Sequence, residues 1–529
     1  MNDADWRTTQ GAMFTDLYEI TMAQAYFRHG LHERPARFDH FFRDYPDYGR
    51  HKAGFAVSAG LAWLLEWLEE TRWRDEDLDH LRQVRGRGGG RLFDDAFLEW
   101  LRGRGVGEGI TIRAVPEGRV VHAEAPVAIV EGPLAALQLL ETPLLNHLNY
   151  PTLVATKAAR LREAAVDGTV LDFGIRRGHE RGVHAGSRAA LIGGVDATSN
   201  TGLAFALGET PKGTHAHALV QAFMALGSGE LGAFEAYAET FPDDCLLLVD
   251  TVDTLASGVP NAIRVFERLR ERGHEPVGIR LDSGDLAHLA VRSAQQLNAA
   301  GFEATTIVLS NELDELTIQQ IRTQIAEEAP RYDVDADALL GRLGYGVGTR
   351  LITSQGDAAL DGVYKLVSIR GDDGWEPAVK LSETPEKVLV PGDKRVWRLY
   401  DRRGMATADL VALAGEAPDE ADALTLHHPD RTNVRRELRR DDLSRIEPLL
   451  EEVFRDGRPT SAPPTLDALR ERCRADLERL DPGVRRVLRP HLYHVSLSTR
   501  LKELREEVVE KAQAATERQD DGSPSASSS

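Results

Sequence analysis

The sequence predicts an α/β protein built on a (β/α) barrel, with an N-terminal α+β domain, a small β-rich appendage and a helical C-terminal extension. Two observations carry the barrel. Between residues 157 and 366 short apolar runs recur, at 169–173, 245–250, 277–282, 305–310 and 343–349, with helix-length stretches such as 259–272, 284–300 and 312–327 between them. Over most of this span the run centres advance by roughly 30 residues, the period of βα units whose right-handed crossovers build a parallel sheet. Several units in series favour a barrel over a short open sheet. Most runs also end in a polar or glycine cluster: GIRRGHERG after 169–173, DTVDT after 245–249, DSGD after 277–281, SNELD after 305–309 and GT after 343–347. Loops at the carboxyl ends of barrel strands converge on one face, so an active site is expected there.

The flanking elements follow in order. Residues 15–27, TDLYEITMAQAYF, have apolar positions at helical spacing and Thr15 or Asp16 to cap them. An aromatic patch at 39–42 and a helix near 60–71 come next. RGRGGGR at 85–91 reads as a loop, because no strand precedes its glycines and no Lys-Ser/Thr pair follows them. Turn signals at 116–118 and 125–126 divide 110–132 into a small β-layer. Beyond Lys365, residues 378–387 and 394–402 read as strands of the appendage. The basic cluster 431–445 is expected on a solvated helix face, and 466–480 and 498–515 read as charged amphipathic helices. The resulting division is 1–156, 157–366, 367–430, 431–517 and a disordered tail at 518–529.

Length and charge narrow the class. The chain has 529 residues, with 64 Lys+Arg against 84 Asp+Glu, so its formal net charge is 64 − 84 = −20. Such a surface disfavours general nucleic-acid or polybasic membrane binding, although a local basic pocket still binds phosphate. An apolar fraction of 42% excludes a disordered chain, and two distant cysteines, Cys245 and Cys473, exclude a disulfide scaffold. No run of about 18 apolar residues and no signal-peptide core occurs, so a cytoplasmic protein is expected.

Each cluster has a bland and a sharp reading. In GTHAH (213–217) a histidine is either a buried structural group or a nucleophile or acid–base group. In DFGIRRGH (172–179) Arg176 serves an inter-element salt bridge or a bidentate phosphate contact, and Phe173 is core or a ring stacked on a flat ligand. In RLDSGD (280–285) Asp282 or Ser283 caps a helix, but a cation beside two carboxylates suits a sugar phosphate with Mg²⁺. Asp282 and Asp285 are therefore magnesium candidates and Ser283 a substrate contact. Asp250 and Asp253 are turn residues or partners of hydroxyls or magnesium. GYGVGT (344–349) offers backbone amides and the Thr349 hydroxyl to a phosphate, or marks close packing.

Taken jointly, TDLYEITMAQAYF, DFGIRRG, GTHAH, RLDSGD and GYGVGT, in this order and spacing, resemble the nicotinate phosphoribosyltransferase family over residues 15–394. The resemblance implies a type II phosphoribosyltransferase with an irregular α/β barrel and active sites completed across a homodimer. The implied reaction joins nicotinate to 5-phosphoribosyl 1-diphosphate, giving nicotinate mononucleotide and diphosphate, with ATP hydrolysed alongside and Mg²⁺ as cofactor, in NAD salvage. His217 matches the phosphorylated histidine. Tyr18, contributed by the partner subunit, Phe173 and Thr214 match nicotinate-binding positions. Arg176 and Arg280 match phosphate or carboxylate contacts, Asp282 a ribose or magnesium contact, and Gly348 and Thr349 the 5-phosphate cradle. Asp196 matches a base-proximal carboxylate of the related nicotinamide enzymes, and the resemblance assigns no role to His215. The alternatives are a nicotinamide phosphoribosyltransferase and a catalytically silent metabolite-binding relative.

Overall fold

The computed structural model describes residues 8, 10–380, 389–431 and 433–521. Helix α1, Leu17–Arg28, carries Glu19 in its first turn and Arg28 in its last, which suits the helix dipole. Asp16 sits at its N-cap position without capping, because its carboxylate accepts from Thr142 Oγ1 at 2.9 Å. Helix α2, Glu141–Ala165, is buried continuously from Pro151 to Leu161. It is buried nearly all round because it packs against both the N-terminal helices and the catalytic layer.

That layer is a parallel sheet of β1 (Thr169–Asp172), β2 (Ala197–Thr198), β3 (Leu246–Leu248), β4 (Gly278–Leu281), β5 (Thr306–Ser310) and β6 (Leu343–Val347), in the spatial order β2-β1-β6-β5-β4-β3. Helices α3 (Glu180–Ile192), α4 (His217–Ala225), α5 (Val259–Glu271), α6 (Leu286–Ala299) and α7 (Glu315–Glu328) connect it. In α5 the buried residues Val259, Ala262, Val265, Phe266 and Leu269 recur at helical spacing and face the sheet. Asp285 and Asp314 start α6 and α7 by accepting from the amides of His288 and Thr317. Ile307 of β5 lies in register with Ile279 and Leu343, in a core covered on both faces. The irregular barrel is thus a half-barrel: β2 and β3 are the sheet's edges and do not pair with each other.

A seven-stranded antiparallel sheet draws on distant parts of the chain, including Pro35–Phe42, Thr111–Ala114, Ala128–Pro133, Gly362–Arg370 and Glu451–Arg455. The aromatic patch at 39–42 is the end of its first strand. A further six-stranded sheet is formed by Lys394–Asp401, Ala406–Leu413, Ala423–His427, Arg435–Arg439, Leu443–Pro448 and His494–Leu497. The basic segment 431–445 therefore holds two strands, Arg435–Arg439 and the start of Leu443–Pro448, joined by a 3-10 turn at Arg440–Asp442, in place of the expected helix face. Arg435–Arg439 is an edge strand that buries Leu438 and leaves its charged residues in water, a common way to keep a free sheet edge from pairing with another chain. The expected C-terminal helices are present as Leu466–Glu478 and Thr499–Asp521. Of the strand expected at 378–387, residues 378–380 are not strand, the nearest strand being Trp375–Pro377, and 381–387 lie outside the described residues, as do 522–529 of the expected tail. No helix among the described residues is long and apolar enough to cross a membrane.

One buried charge cluster ties the parts together. Glu315, at the start of α7, is fully buried and accepts from His51 Nε2 at 2.7 Å and Arg160 Nε at 3.0 Å, while Lys157 Nζ lies 2.6 Å from its other oxygen. Arg160 also donates to the Val487 carbonyl, so N-terminal, central and C-terminal segments share one polar centre.

Candidate active site

The carboxyl ends of the parallel strands open into a cavity of about 540 Å³. The chain after β1 contributes Phe173, Arg176 and Arg177, and the chain after β2 contributes Ser199. The loop before α4 adds Thr214, His215 and His217. β4 and its exit give Arg280 and Asp282, β5 gives Ser310, Asn311 and Glu312, and β6 gives Gly346, Gly348, Thr349 and Arg350. Four arginines, Arg176, Arg177, Arg280 and Arg350, face the carboxylates Asp282 and Glu312, so the cavity is locally basic in a chain of net charge −20.

Arg280 is the most constrained cation. Burial lowers its pKa, with the carboxylates of Asp282 and Asp250 opposing that effect and Arg176 adding to it. Its Nε is buried without a hydrogen-bond partner among the described residues. A buried guanidinium N–H without a partner is a donor suited to an anion. Its carbon lies 5.9 Å from the centroid of the Phe173 ring. That ring lies against β6 at Gly346, where an added Cβ would fall 2.5 Å from two ring carbons. Glycine is therefore required for Phe173 to pack there. The salt bridge considered for Arg176 is not formed, and its guanidinium only approaches the Phe173 carbonyl at 3.4 Å.

His217 is the first residue of α4, and its Nε2 lies 3.1 Å from Asp250 Oδ1. The Asp250 side chain is 1% exposed, and Oδ2 accepts from the Asp282 amide at 2.9 Å and Ser283 Oγ at 2.6 Å. Asp250 and Ser283, both expected as substrate contacts, do not line the cavity and instead brace the turn that carries Asp282. Asp282 is held in turn by Ser310 Oγ, which donates to its Oδ1 at 2.5 Å.

Three expected residues lie elsewhere. Asp285 does not line the cavity, since its carboxylate accepts from the His288 amide and Gln324 Nε2. Asp196 precedes β2, at the opposite end of the sheet from the cavity, where its Oδ2 takes Arg162 NH1 at 2.9 Å and the Val170 amide at 2.7 Å. The cavity residue of that strand is Ser199. Tyr18 is 45% exposed on α1 and does not line the cavity of its own chain. Sequence reasoning missed Arg177, Ser199, Ser310, Asn311, Glu312 and Arg350, although the SNELD cluster pointed to three of them. Asn311 and Glu312 adopt φ of 99° and 46°, a run of left-handed non-glycine residues of the kind concentrated at functional sites.

Residues 13–149 match the nicotinate phosphoribosyltransferase N-terminal domain model, and residues 393–505 match the C-terminal domain model of the same enzyme. Nicotinate phosphoribosyltransferase of Bacillus subtilis is 38% identical over 489 residues, covering 92% of this chain and 93% of that protein. The chain belongs to the nicotinate phosphoribosyltransferase family. The fold of that family recurs in the crystal structure of human nicotinic acid phosphoribosyltransferase, with a TM-score of 0.76 at 32% identity over 93% of this chain and 99% of that one. A nicotinate-nucleotide pyrophosphorylase from Pyrococcus furiosus shares the fold, with a TM-score of 0.64 at 21% identity over 90% of this chain and 97% of that one.

Proposed function

We propose that the cavity transfers the phosphoribosyl group of 5-phosphoribosyl 1-diphosphate to nicotinate, in NAD salvage, and that ATP hydrolysis is coupled to the transfer through His217. The observation that carries this is the placement of Arg280, whose buried Nε has no hydrogen-bond partner among the described residues, and of one carboxylate-held histidine, His217, in the same basic cavity.

In the transfer the ribose C1–O bond to diphosphate breaks as C1 bonds to the pyridine nitrogen, whose lone pair supplies the electrons. No protein base is needed. Negative charge grows on the leaving diphosphate, and Arg176 and Arg280, which line the cavity, are placed to stabilise it. Phe173 offers a flat face that orients the pyridine ring, a positioning contribution. Gly348 and Thr349 open a short helical turn with backbone amides and a hydroxyl for the 5-phosphate.

In the ATP step, Asp250 accepts the Nε2–H of His217 and so leaves the lone pair on Nδ1. Nδ1 attacks the γ-phosphorus, ADP leaves, and water later releases phosphate from the phosphohistidine. Phosphorylation puts negative charge next to Asp250 and into the cavity that Arg280 lines, which couples the histidine to the arginine wall.

Magnesium fits this donor set as an ion carried by the diphosphate, because no group of three metal-binding side chains gathers among the described residues. Asp282 would hold it from the protein side, and when bound it would neutralise leaving-group charge. A homodimer suits the surface. Phe205 is 87% exposed, Leu226 at the end of the uncharged helix α4 is 85% exposed, and Tyr18 needs a partner's cavity to meet the ring. Both cysteines are buried and unpaired, as a reducing cytoplasm allows.

Mass detection of product tests the reading. Nicotinate and 5-phosphoribosyl 1-diphosphate should give nicotinate mononucleotide and diphosphate, with nicotinamide a poor competitor. Faster product formation from nicotinamide would assign the site to the amide instead.

A further inference from the structure

The half-barrel leaves two sheet edges open, and the loop that carries His217 spans them. β3 turns alternate residues toward β4: the Val277 and Gly278 amides donate to the Cys245 carbonyl, and the Val249 amide donates to the Arg280 carbonyl. Backbone groups alternate sides along a strand, so those of Leu246 and Leu248 face the open edge. Side chains of the loop meet them there. Thr214 Oγ1 donates to the Leu246 carbonyl, and the Leu248 amide donates to His215 Nε2 at 3.1 Å. Two residues further along, Asp250 takes His217. At the other edge the Lys212 amide donates to the Thr198 carbonyl of β2 at 2.9 Å.

His215 is 9% exposed, with its ring 4.9 Å from that of Tyr237 and 6.2 Å from that of Phe234, centroid to centroid. Its Nδ1 lies 3.3 Å from the Ala216 carbonyl. One tautomer satisfies both nitrogens: Nε2 bears the lone pair and Nδ1 the proton. We propose that His215 is a positioning residue that, as a neutral acceptor for the Leu248 amide, pins the loop to the open edge of β3 in place of a missing strand and so aims His217 at Asp250. Protonation would set a second N–H against the Leu248 amide. Burial opposes it, taking the His215 pKa down to about 4, with the Arg280 and His217 charges acting in the same direction.

This inference rests on the reading of His217 as the phosphorylated residue, and the test separates the two. His215→Leu keeps apolar volume and removes the acceptor, whereas in His215→Gln the amide oxygen reaches the place of Nε2. We expect His215→Leu to lower the ATP-coupled kcat by about tenfold with KM for nicotinate changed less than about twofold, and His215→Gln to recover it to within about threefold. Hydrogen exchange at the Leu248 amide should lose protection in the Leu variant and keep it in the Gln variant. ATP stimulation that survives in His217→Ala would overturn the phosphohistidine reading, whatever His215 does. If His217→Ala abolishes stimulation but His215→Leu retains wild-type coupling, or if the Leu and Gln variants lose coupling alike, the positioning role is overturned. Should the Leu variant fail to fold, the Gln variant decides. Retained coupling with a protected Leu248 amide supports the role, and lost coupling overturns it.

Discussion

Asp250 Oδ1 lies 3.1 Å from His217 Nε2 while Oδ2 of the same carboxylate accepts from the Asp282 amide and the Ser283 hydroxyl. One buried acid thus fixes the histidine tautomer and the turn that carries the arginine–aspartate pair. Replacing Asp250 by Ala is expected to lower the ATP-coupled rate by about 10²-fold, since an unheld imidazole loses orientation and tautomer together. Steady-state rates with and without ATP check this. An ATP-coupled rate within about twofold of wild type would remove Asp250 from the histidine's function.

Arg280 should matter through charge and geometry together. Arg280→Ala is expected to lower kcat/KM for 5-phosphoribosyl 1-diphosphate by about 10²- to 10³-fold, the loss typical of removing one preorganised transition-state contact. Arg280→Lys should recover only part of this, because a point charge does not reproduce the planar guanidinium. Full recovery by lysine would mean that charge alone suffices.

Gly346 tests the placement of the aromatic wall. An alanine Cβ there would fall 2.5 Å from the Phe173 ring, so the ring must move. The expected result is a fall of about 10- to 10²-fold in kcat/KM for nicotinate, measured with 5-phosphoribosyl 1-diphosphate saturating. An unaltered value would show that Phe173 does not orient the pyridine.

Glu315 links pH to stability. Burial alone would raise its carboxyl, but the hydrogen bond from His51 and the Lys157 and Arg160 charges outweigh it and hold the group well below the usual carboxylate range. A depressed folded-state pKa gives stability that is present above the unfolded value, about 4.3, and is lost as pH falls below it. Glu315→Gln should cost about 3–5 kcal/mol at neutral pH and flatten the acid limb of the melting temperature between pH 3 and 5. Equal acid limbs in the two proteins would contradict the linkage.

The catalytic layer was legible because two physical periods coincide in it, the βα repeat and the polar cluster that ends most strands. Phe173, Arg176, Arg280, Asp282, Gly348 and Thr349 reach the cavity on that logic, while Thr214 and His217 lie in the loop before α4 and were marked by the family resemblance. Asp196 was carried over from the resemblance alone, since β2 is two residues long and has no apolar run to show which end of the sheet Asp196 lies at. Asp285 was misread because an acid that caps a helix and an acid that binds a metal look alike in sequence. The strand Arg435–Arg439 has no intrinsic β signal and exists through pairing with Ala423–His427, a tertiary effect invisible to local pattern. Asp250 stood out as chemically interesting, but only the folded chain shows that it faces His217 rather than a substrate.

The central claim is that one histidine couples ATP to phosphoribosyl transfer. The direct measurement is the ratio of ATP hydrolysed to nicotinate mononucleotide formed, in wild type and in His217→Ala, each with and without ATP. The account predicts a fixed ratio and ATP-stimulated product formation in wild type, and residual transfer that ATP neither accelerates nor accompanies in the variant. ATP hydrolysis that remains coupled in His217→Ala would contradict it.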